Sequence, residues 1–163
     1  SVLGSALAAA AAPFFPSIEI VEAHRETKVD SPSGTAVRTA ELIAAVRAGV
    51  GPVDSPHVDQ RARGQQVASV PIHSLRRPGV VARQETILSG AGESLTITHD
   101  TIEPAAAYAP GIRIALAAAR DAKGVVVGLD SFIDIGLRVP GSKERSPVEE
   151  GGVPGQVARA TGA

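Results

Sequence analysis

The 163-residue chain contains no cysteine, no methionine and no tryptophan, and only three phenylalanines and one tyrosine. The lack of cysteine excludes a disulfide framework and any thiolate metal site, and fits a reducing cytoplasm. With aromatic residues at 2% and hydrophobic residues at 44%, a core must be built from Ala, Val, Ile and Leu. A net charge of −1 leaves no basic footprint for nucleic acid or for an anionic membrane surface. No apolar run approaches the roughly 20 residues that a bilayer-spanning helix needs. The four histidines, at positions 24, 57, 73 and 99, are too dispersed for a standard metal spacing, so no metal site is expected. What the composition allows is one globular domain long enough to bury a core.

Ser1 to Ala12 is rich in the best helix former and is closed by Pro13. The chain starts inside this helix-prone run, as an excised domain or a fragment of a longer reading frame would. Phe14 and Phe15 are expected to pack the turn into a strand over 17–24, whose apolar residues fall at both parities. Residues 25–33 read as a loop, and 35–50 as a helix with a stripe of Leu42, Ile43, Val46 and Val50, stopped by Gly49 and Gly51. Residues 51–66 are polar, carry Pro52 and Pro56 and show no usable period. They are expected to be a long loop in which Arg61, Arg63 and His57 are solvated.

Strands are expected over 67–75, 80–88 and 94–100. Arg76-Arg77-Pro78-Gly79 supplies the first turn between them and residues 89–93 the second. The third strand alternates Leu95, Ile97 and His99 against Thr96 and Thr98. Gly90-Ala91-Gly92 is not a dinucleotide fingerprint, because it lacks the third glycine and a strand follows it where a helix is required. His73 and His99, on strands, are expected to be hydrogen-bonded structural residues. Residues 105–123 read as helical, interrupted by Pro110-Gly111, with the clearer helix over 112–122. A last apolar segment covers 125–135. From residue 136 onward, prolines, glycines and mixed charges describe a disordered tail.

The segment from Glu22 to Thr35 carries the chemistry. An imidazole at His24 and an ammonium at Lys28 precede a Ser33-Gly34-Thr35 turn that opens a helix. A helix N-terminus exposes unpaired N–H groups and partial positive charge, and Gly34 would let a ligand approach the backbone closely. Ser33 and Thr35 can each donate a hydroxyl hydrogen bond. The segment is thus a candidate pocket for a small carboxylate or phosphate. A plain helix N-cap, worth about 1 kcal/mol, is the competing reading of the same residues.

The string His-x-x-x-Lys-Val-Asp-x-Pro-Ser-Gly-Thr over residues 24–35 resembles the signature of the dihydrodipicolinate reductases, also called 4-hydroxy-tetrahydrodipicolinate reductases. Val70-Pro71-Ile72-His73, the run from Gly92 to His99 and Val127-Gly128-Leu129-Asp130 extend the similarity. Residues 1–135 resemble that family's C-terminal, substrate-binding and tetramer-forming domain. The resemblance implies an α+β fold, with a mixed, mostly antiparallel sheet covered by helices on one face. It also implies an uncovered apolar face that builds a homotetramer.

The resemblance further implies a cytoplasmic enzyme of lysine and diaminopimelate biosynthesis. Such an enzyme reduces 4-hydroxy-tetrahydrodipicolinate to tetrahydrodipicolinate with NADH or NADPH, the cofactor being held on a separate nucleotide-binding domain absent from this chain. His24 and Lys28 would be catalytic, with Lys28 the proton donor. Arg25, Lys28, Ser33, Gly34 and Thr35 would bind the dicarboxylate. The family commonly has a second histidine where this chain has Arg25, which can grip a carboxylate bidentately but cannot shuttle protons at neutral pH. A noncatalytic oligomerisation or dicarboxylate-binding module is the alternative function.

Overall fold

The structure is a computed structural model that describes residues 1–129, 131–133 and 136. The domain limit expected at 135 and the tail expected over 136–163 therefore fall outside the described residues, apart from Gly136. The elements run α1 (Val2–Ala11), β1 (Ser17–His24), α2 (Gly34–Val46), β2 (Gln65–Val67), β3 (Val70–Arg76), β4 (Ala82–Gly90), β5 (Glu93–Thr101) and α3 (Pro104–Ala119), with 3-10 turns at Ala12–Phe14 and Arg61–Arg63.

The five strands form one sheet in the order β2-β3-β1-β4-β5. β1 runs parallel to β3, and the other three pairings are antiparallel. β1 is central because it is apolar enough to be covered. Its even-numbered residues Ile18, Ile20 and Glu22 are fully buried. In register with them stand Ile72 and Ser74 of β3 and Leu88, Thr86 and Gln84 of β4.

α1 and α2 lie over this face. Ala8 and Ala12 from the first helical segment and Ala36, Ala40 and Ile43 from α2 join Ile18, Ile20, Val70, Ile72 and Leu88 in one core. With so few aromatic side chains, alanine-lined helices approach the sheet closely and branched aliphatics fill the gap. The α+β class, the mixed and mostly antiparallel sheet and the helices on one face are as the sequence led one to expect.

Several local expectations are corrected. The single strand over 67–75 is in fact split, because Ala68 and Ser69 both take positive φ (49° and 71°) and turn the chain between β2 and β3. No Gly, Asn or Asp marks that turn. The loop over 51–66 contains a 3-10 turn and the start of β2, elements too short to show a period. α2 ends at Val46 instead of running to 50. Arg47 turns inward there, so Val50 leaves the stripe and is 58% exposed.

Phe15 packs on the core as expected, whereas Phe14 is exposed. Pro110 does not interrupt α3, which runs through it. A proline removes one donor, and the carbonyl it frees, on Ala106, belongs to an exposed residue that water can satisfy. α3 buries none of its own residues.

The sheet face turned away from α1 and α2 is not the apolar surface that was expected. Val21, Leu75 and Ile87 lie on it among charged groups, by the alternation of each strand. Glu19 accepts from Arg63 Nη2 at 2.5 Å and pairs with His73 Nε2 at 2.8 Å. Arg83 pairs with Glu85 and, at 3.3 Å, with Asp100. Arg63 is therefore half-buried and paired, contrary to the solvated charge expected of it, while the structural role expected of His73 holds.

Candidate functional site

β1 delivers its last residues, Glu22 and His24, to the edge of the covered face. Because side chains alternate, both point to the same side as Ile18 and Ile20. Glu22 is wholly buried, and a buried carboxylate requires partners. Arg76, at the end of β3 and opposite His24 in register, supplies both terminal nitrogens. Nη1 lies 3.1 Å from each carboxylate oxygen and Nη2 lies 3.1 Å from Oε1. His24 Nδ1 lies 2.6 Å from Oε2, and the backbone N–H of Ser33 donates to Oε1 at 3.3 Å. The Ser74 hydroxyl is a further donor.

Burial alone would raise the pKa of Glu22. The hydrogen bonds from Arg76, Ser74 and His24, with the Arg76 charge, outweigh that effect, and the net shift is downward. Glu22 is therefore an anion in the folded chain at neutral pH.

The same guanidinium fastens the loop that follows β1. Arg76 Nε donates to the Lys28 carbonyl at 3.2 Å and Nη2 to the Asp30 carbonyl at 2.7 Å. The loop contains a cis peptide bond between Ser31 and Pro32 and leads straight into α2. Ser33 is the N-cap, and its Oγ accepts from the Ala36 N–H at 3.2 Å. The Val37 N–H reaches the Ser33 carbonyl at 3.0 Å. Among the described residues, the N–H groups of Gly34 and Thr35 meet no acceptor. A Cβ placed on Gly34 would find no atom within 4 Å, so the backbone there is open to an approaching group.

The first turn of α2 is itself anchored. Thr39 Oγ1 donates to the Thr35 carbonyl at 2.8 Å. Its one proton being engaged there, it accepts from Ser5 Oγ at 2.7 Å and from Gln84 Nε2 at 3.0 Å. One buried hydroxyl thus ties the start of α2 to α1 and to β4. Beside that turn lies a groove of about 200 Å³, lined in part by Ser5, Gly34, Thr35, Arg38, Leu42 and Leu129.

Of the residues singled out from the sequence, His24 and Ser33 meet on one carboxylate, and Lys28 is held beside them through Arg76. Gly34 and Thr35 follow Ser33 with their N–H groups open. Lys28 and Arg25 have partners of their own. The Lys28 ammonium is not free but bonds both oxygens of Asp30 at 2.7 Å, and Asp30 is largely exposed. Arg25 is not drawn in, since its Nε donates to Thr27 Oγ1 at 3.1 Å in the exposed loop. Glu22, Asp30, Arg76 and Thr39 were not singled out. Of these, Glu22 alone carried a signal, a carboxylate at the parity of Ile18 and Ile20.

Gly90-Ala91-Gly92 forms no dinucleotide cradle. Ala91-Gly92 is the two-residue turn of the β4–β5 hairpin, with Gly92 at φ +83°. These residues do not fit a nicotinamide cofactor. The described residues also contain no group of three or more His, Cys, Asp or Glu able to hold a metal ion, and no helix long and apolar enough to cross a membrane.

The family model described as dihydrodipicolinate reductase, C-terminus, matches residues 2–133. A 4-hydroxy-tetrahydrodipicolinate reductase of Clavibacter michiganensis subsp. michiganensis is 56% identical over 174 aligned positions, which cover 100% of this chain and 61% of the relative. The enzyme of the same name from Streptomyces griseus subsp. griseus is 42% identical over 139 positions, covering 83% of this chain and 55% of the relative. Among solved structures, a dipicolinate-bound dihydrodipicolinate reductase from a Paenisporosarcina species superposes with a TM-score of 0.67 at 35% identity, over 81% of this chain and 50% of that one. The chain spans 55–61% of the length of these two curated relatives. By the family model and by identity along its whole length, the chain belongs to the dihydrodipicolinate reductase family and corresponds to its C-terminal part.

Proposed function

We propose that this chain is the substrate-binding part of an NADH- or NADPH-dependent reductase that converts 4-hydroxy-tetrahydrodipicolinate to tetrahydrodipicolinate in lysine and diaminopimelate biosynthesis. The observation that carries this reading is the open N-terminal turn of α2, with the N–H groups of Gly34 and Thr35 unengaged beside the Lys28 loop. A carboxylate there meets two backbone donors, the Thr35 hydroxyl and the helix dipole. The structural neighbour named above is dipicolinate-bound, and dipicolinate is a planar dicarboxylate.

Lys28 acts as proton donor and as countercharge, and His24 stands at the reacting end of the site. Asp30 holds the ammonium until the substrate carboxylate replaces it, an exchange of one exposed anion for another that costs little. Arg25 takes an outer carboxylate contact by swinging from Thr27. The nicotinamide is carried outside these residues. The reading also places the protein in the cytoplasm. Its assembly is a homotetramer formed through the uncovered sheet face, in which Val21, Leu75 and Ile87 meet a second copy and the Glu19 and Arg83 networks fix register. A monomer by light scattering at micromolar concentration would remove the tetramer from the proposal.

Calorimetry with pyridine-2,6-dicarboxylate tests the site. Lys28→Ala should weaken binding by about 1.5–3 kcal/mol, the usual size of a hydrogen bond to a charged group. Thr35→Val should cost less, because the backbone donors remain. Equal affinity for both variants and the parent chain would place the anion elsewhere. A full-length gene product that binds the dicarboxylate but turns over with neither NADH nor NADPH would favour the noncatalytic module.

A further inference from the structure

We propose that Glu22 is a positioning residue that fixes the tautomer of His24, so that a dicarboxylate binds only together with a proton on His24 Nε2. The inference rests on the reading that this site takes a dicarboxylate, and it adds the proton that must accompany it. His24 Nδ1 is 2.6 Å from Glu22 Oε2, and the carboxylate is fully buried. An ionised carboxylate only accepts, so the proton of a neutral His24 must sit on Nδ1. Nε2, across the ring from the buried carboxylate, then carries a lone pair. That lone pair repels an incoming carboxylate, whereas the imidazolium donates to it.

The other ionisable groups on the surrounding elements are the cations Arg25, Lys28, Arg76 and Arg77, with Asp30 paired to Lys28 and Glu26 exposed in the loop, while His24 Nδ1 is engaged by Glu22. Arg83 on β4 faces the opposite side of the sheet. Among the hydrogen bonds of the described residues, Nδ1 meets Glu22 and neither Asp30 nor Glu26.

The bond pattern also predicts what an amide would do at this position. Oε1 accepts from the Ser33 N–H and from both Arg76 nitrogens, whereas Oε2 accepts from Nη1 and from His24 Nδ1. In Glu22→Gln the single oxygen belongs on the Oε1 side, where three donors converge. The opposite orientation would set an NH2 group against all three. The amide NH2 therefore faces His24 Nδ1 and donates to it, and the imidazole proton moves to Nε2. The substitution thus reverses the tautomer instead of merely loosening the ring.

Nitrogen-15 chemical shifts of the neutral His24 ring read the tautomer directly. The wild-type chain should carry the proton on Nδ1 and Glu22→Gln on Nε2. Titration with pyridine-2,6-dicarboxylate over a pH series should show wild-type affinity falling as pH rises, by up to about tenfold per pH unit, as linkage to one proton requires. In Glu22→Gln and His24→Gln that dependence should vanish. A wild-type proton on Nε2, or a pH dependence that survives in both variants, would overturn the proposal. If Glu22→Gln does not fold, the wild-type tautomer and His24→Gln still decide it. A wild-type chain that binds no dicarboxylate would instead reject the proposed function, and the ring shifts would judge the tautomer separately.

Discussion

Arg76 meets the buried carboxylate of Glu22 with both terminal nitrogens at 3.1 Å while its remaining donors hold the carbonyls of Lys28 and Asp30. One side chain therefore neutralises a charge inside the protein and sets the path of the loop that opens the site. The pair does not have to be strongly stabilising to matter, because a charge that has lost its partner is what costs. Arg76→Ala should lower unfolding free energy by about 3 kcal/mol in urea denaturation. Arg76→Lys should recover only part of that, since an ammonium cannot span two carboxylate oxygens and two carbonyls at once. A change below about 0.5 kcal/mol, the size expected of a surface substitution, would mean that the pair is solvated.

Acid should weaken the fold through Glu22 and Glu19 together. For each, burial acts to raise the pKa but is outweighed, at Glu19 by hydrogen bonds and charge from Arg63 and His73, so both are lowered. A carboxylate that titrates lower in the folded chain binds fewer protons there than when unfolded. Its contribution is whole above the unfolded value of about 4.3 and is lost as pH falls through the folded value. Stability measured by thermal unfolding should hold from pH 7 down to about 5 and then decline. Glu19→Gln should make the decline shallower, and an unchanged slope would show that Glu19 does not report on folding.

The legibility of this fold followed physical scale. β1 was visible as an apolar run, β5 by its strict alternation, β4 by the turns on either side of it, and α2 by its apolar stripe behind the Ser33-Gly34-Thr35 turn. β2, three residues long, has no period to display, and the turn at Ala68–Ser69 uses residues that turn statistics do not favour. The ends of helices were missed where tertiary contacts decide them, as at Arg47. The residues of the anion turn were legible because a helix N-terminus is a local device. Glu22 and Arg76 are 54 positions apart and become a pair only when β1 and β3 align in parallel. The charged networks on the uncovered face were hidden for the same reason, since Arg63, Glu19 and His73 come from three separate segments.

Arg47 illustrates how much one buried side chain can organise. It is 4% exposed and donates to the carbonyls of Ala12, Phe15, Gly51 and Pro52, at 2.7, 2.6, 3.1 and 3.0 Å respectively. It joins the end of α2 to the turn before β1 and to the start of the following loop. Arg47→Ala would leave several of these carbonyls without donors, each at a cost of order 1–3 kcal/mol if water cannot reach it. A loss of about 3 kcal/mol or more is expected in urea denaturation. Arg47→Lys should be nearly as harmful, because three donors on one nitrogen cannot cover carbonyls on two sides of the chain.

Gly64 tests whether the Arg63 pairing depends on the backbone beneath it. Its φ is +75° with ψ at −179°, a region essentially restricted to glycine. A Cβ there would stand 2.7 Å from the Ile72 carbonyl oxygen and 3.1 Å from His73 Cε1. The first of these atoms is backbone in the middle of β3, so the collision cannot be relieved by rotating a side chain. Gly64→Ala should therefore cost about 1–3 kcal/mol for the conformation alone and displace β2 from β3. Because Arg63 and His73 share Glu19, that displacement should also part Arg63 from its carboxylate, and the acid sensitivity assigned to Glu19 should fall with it. Thermal unfolding of Gly64→Ala at pH 7 and at pH 4 separates the two effects. A loss of equal size at both values would show that the glycine supports the strand without supporting the ion pair.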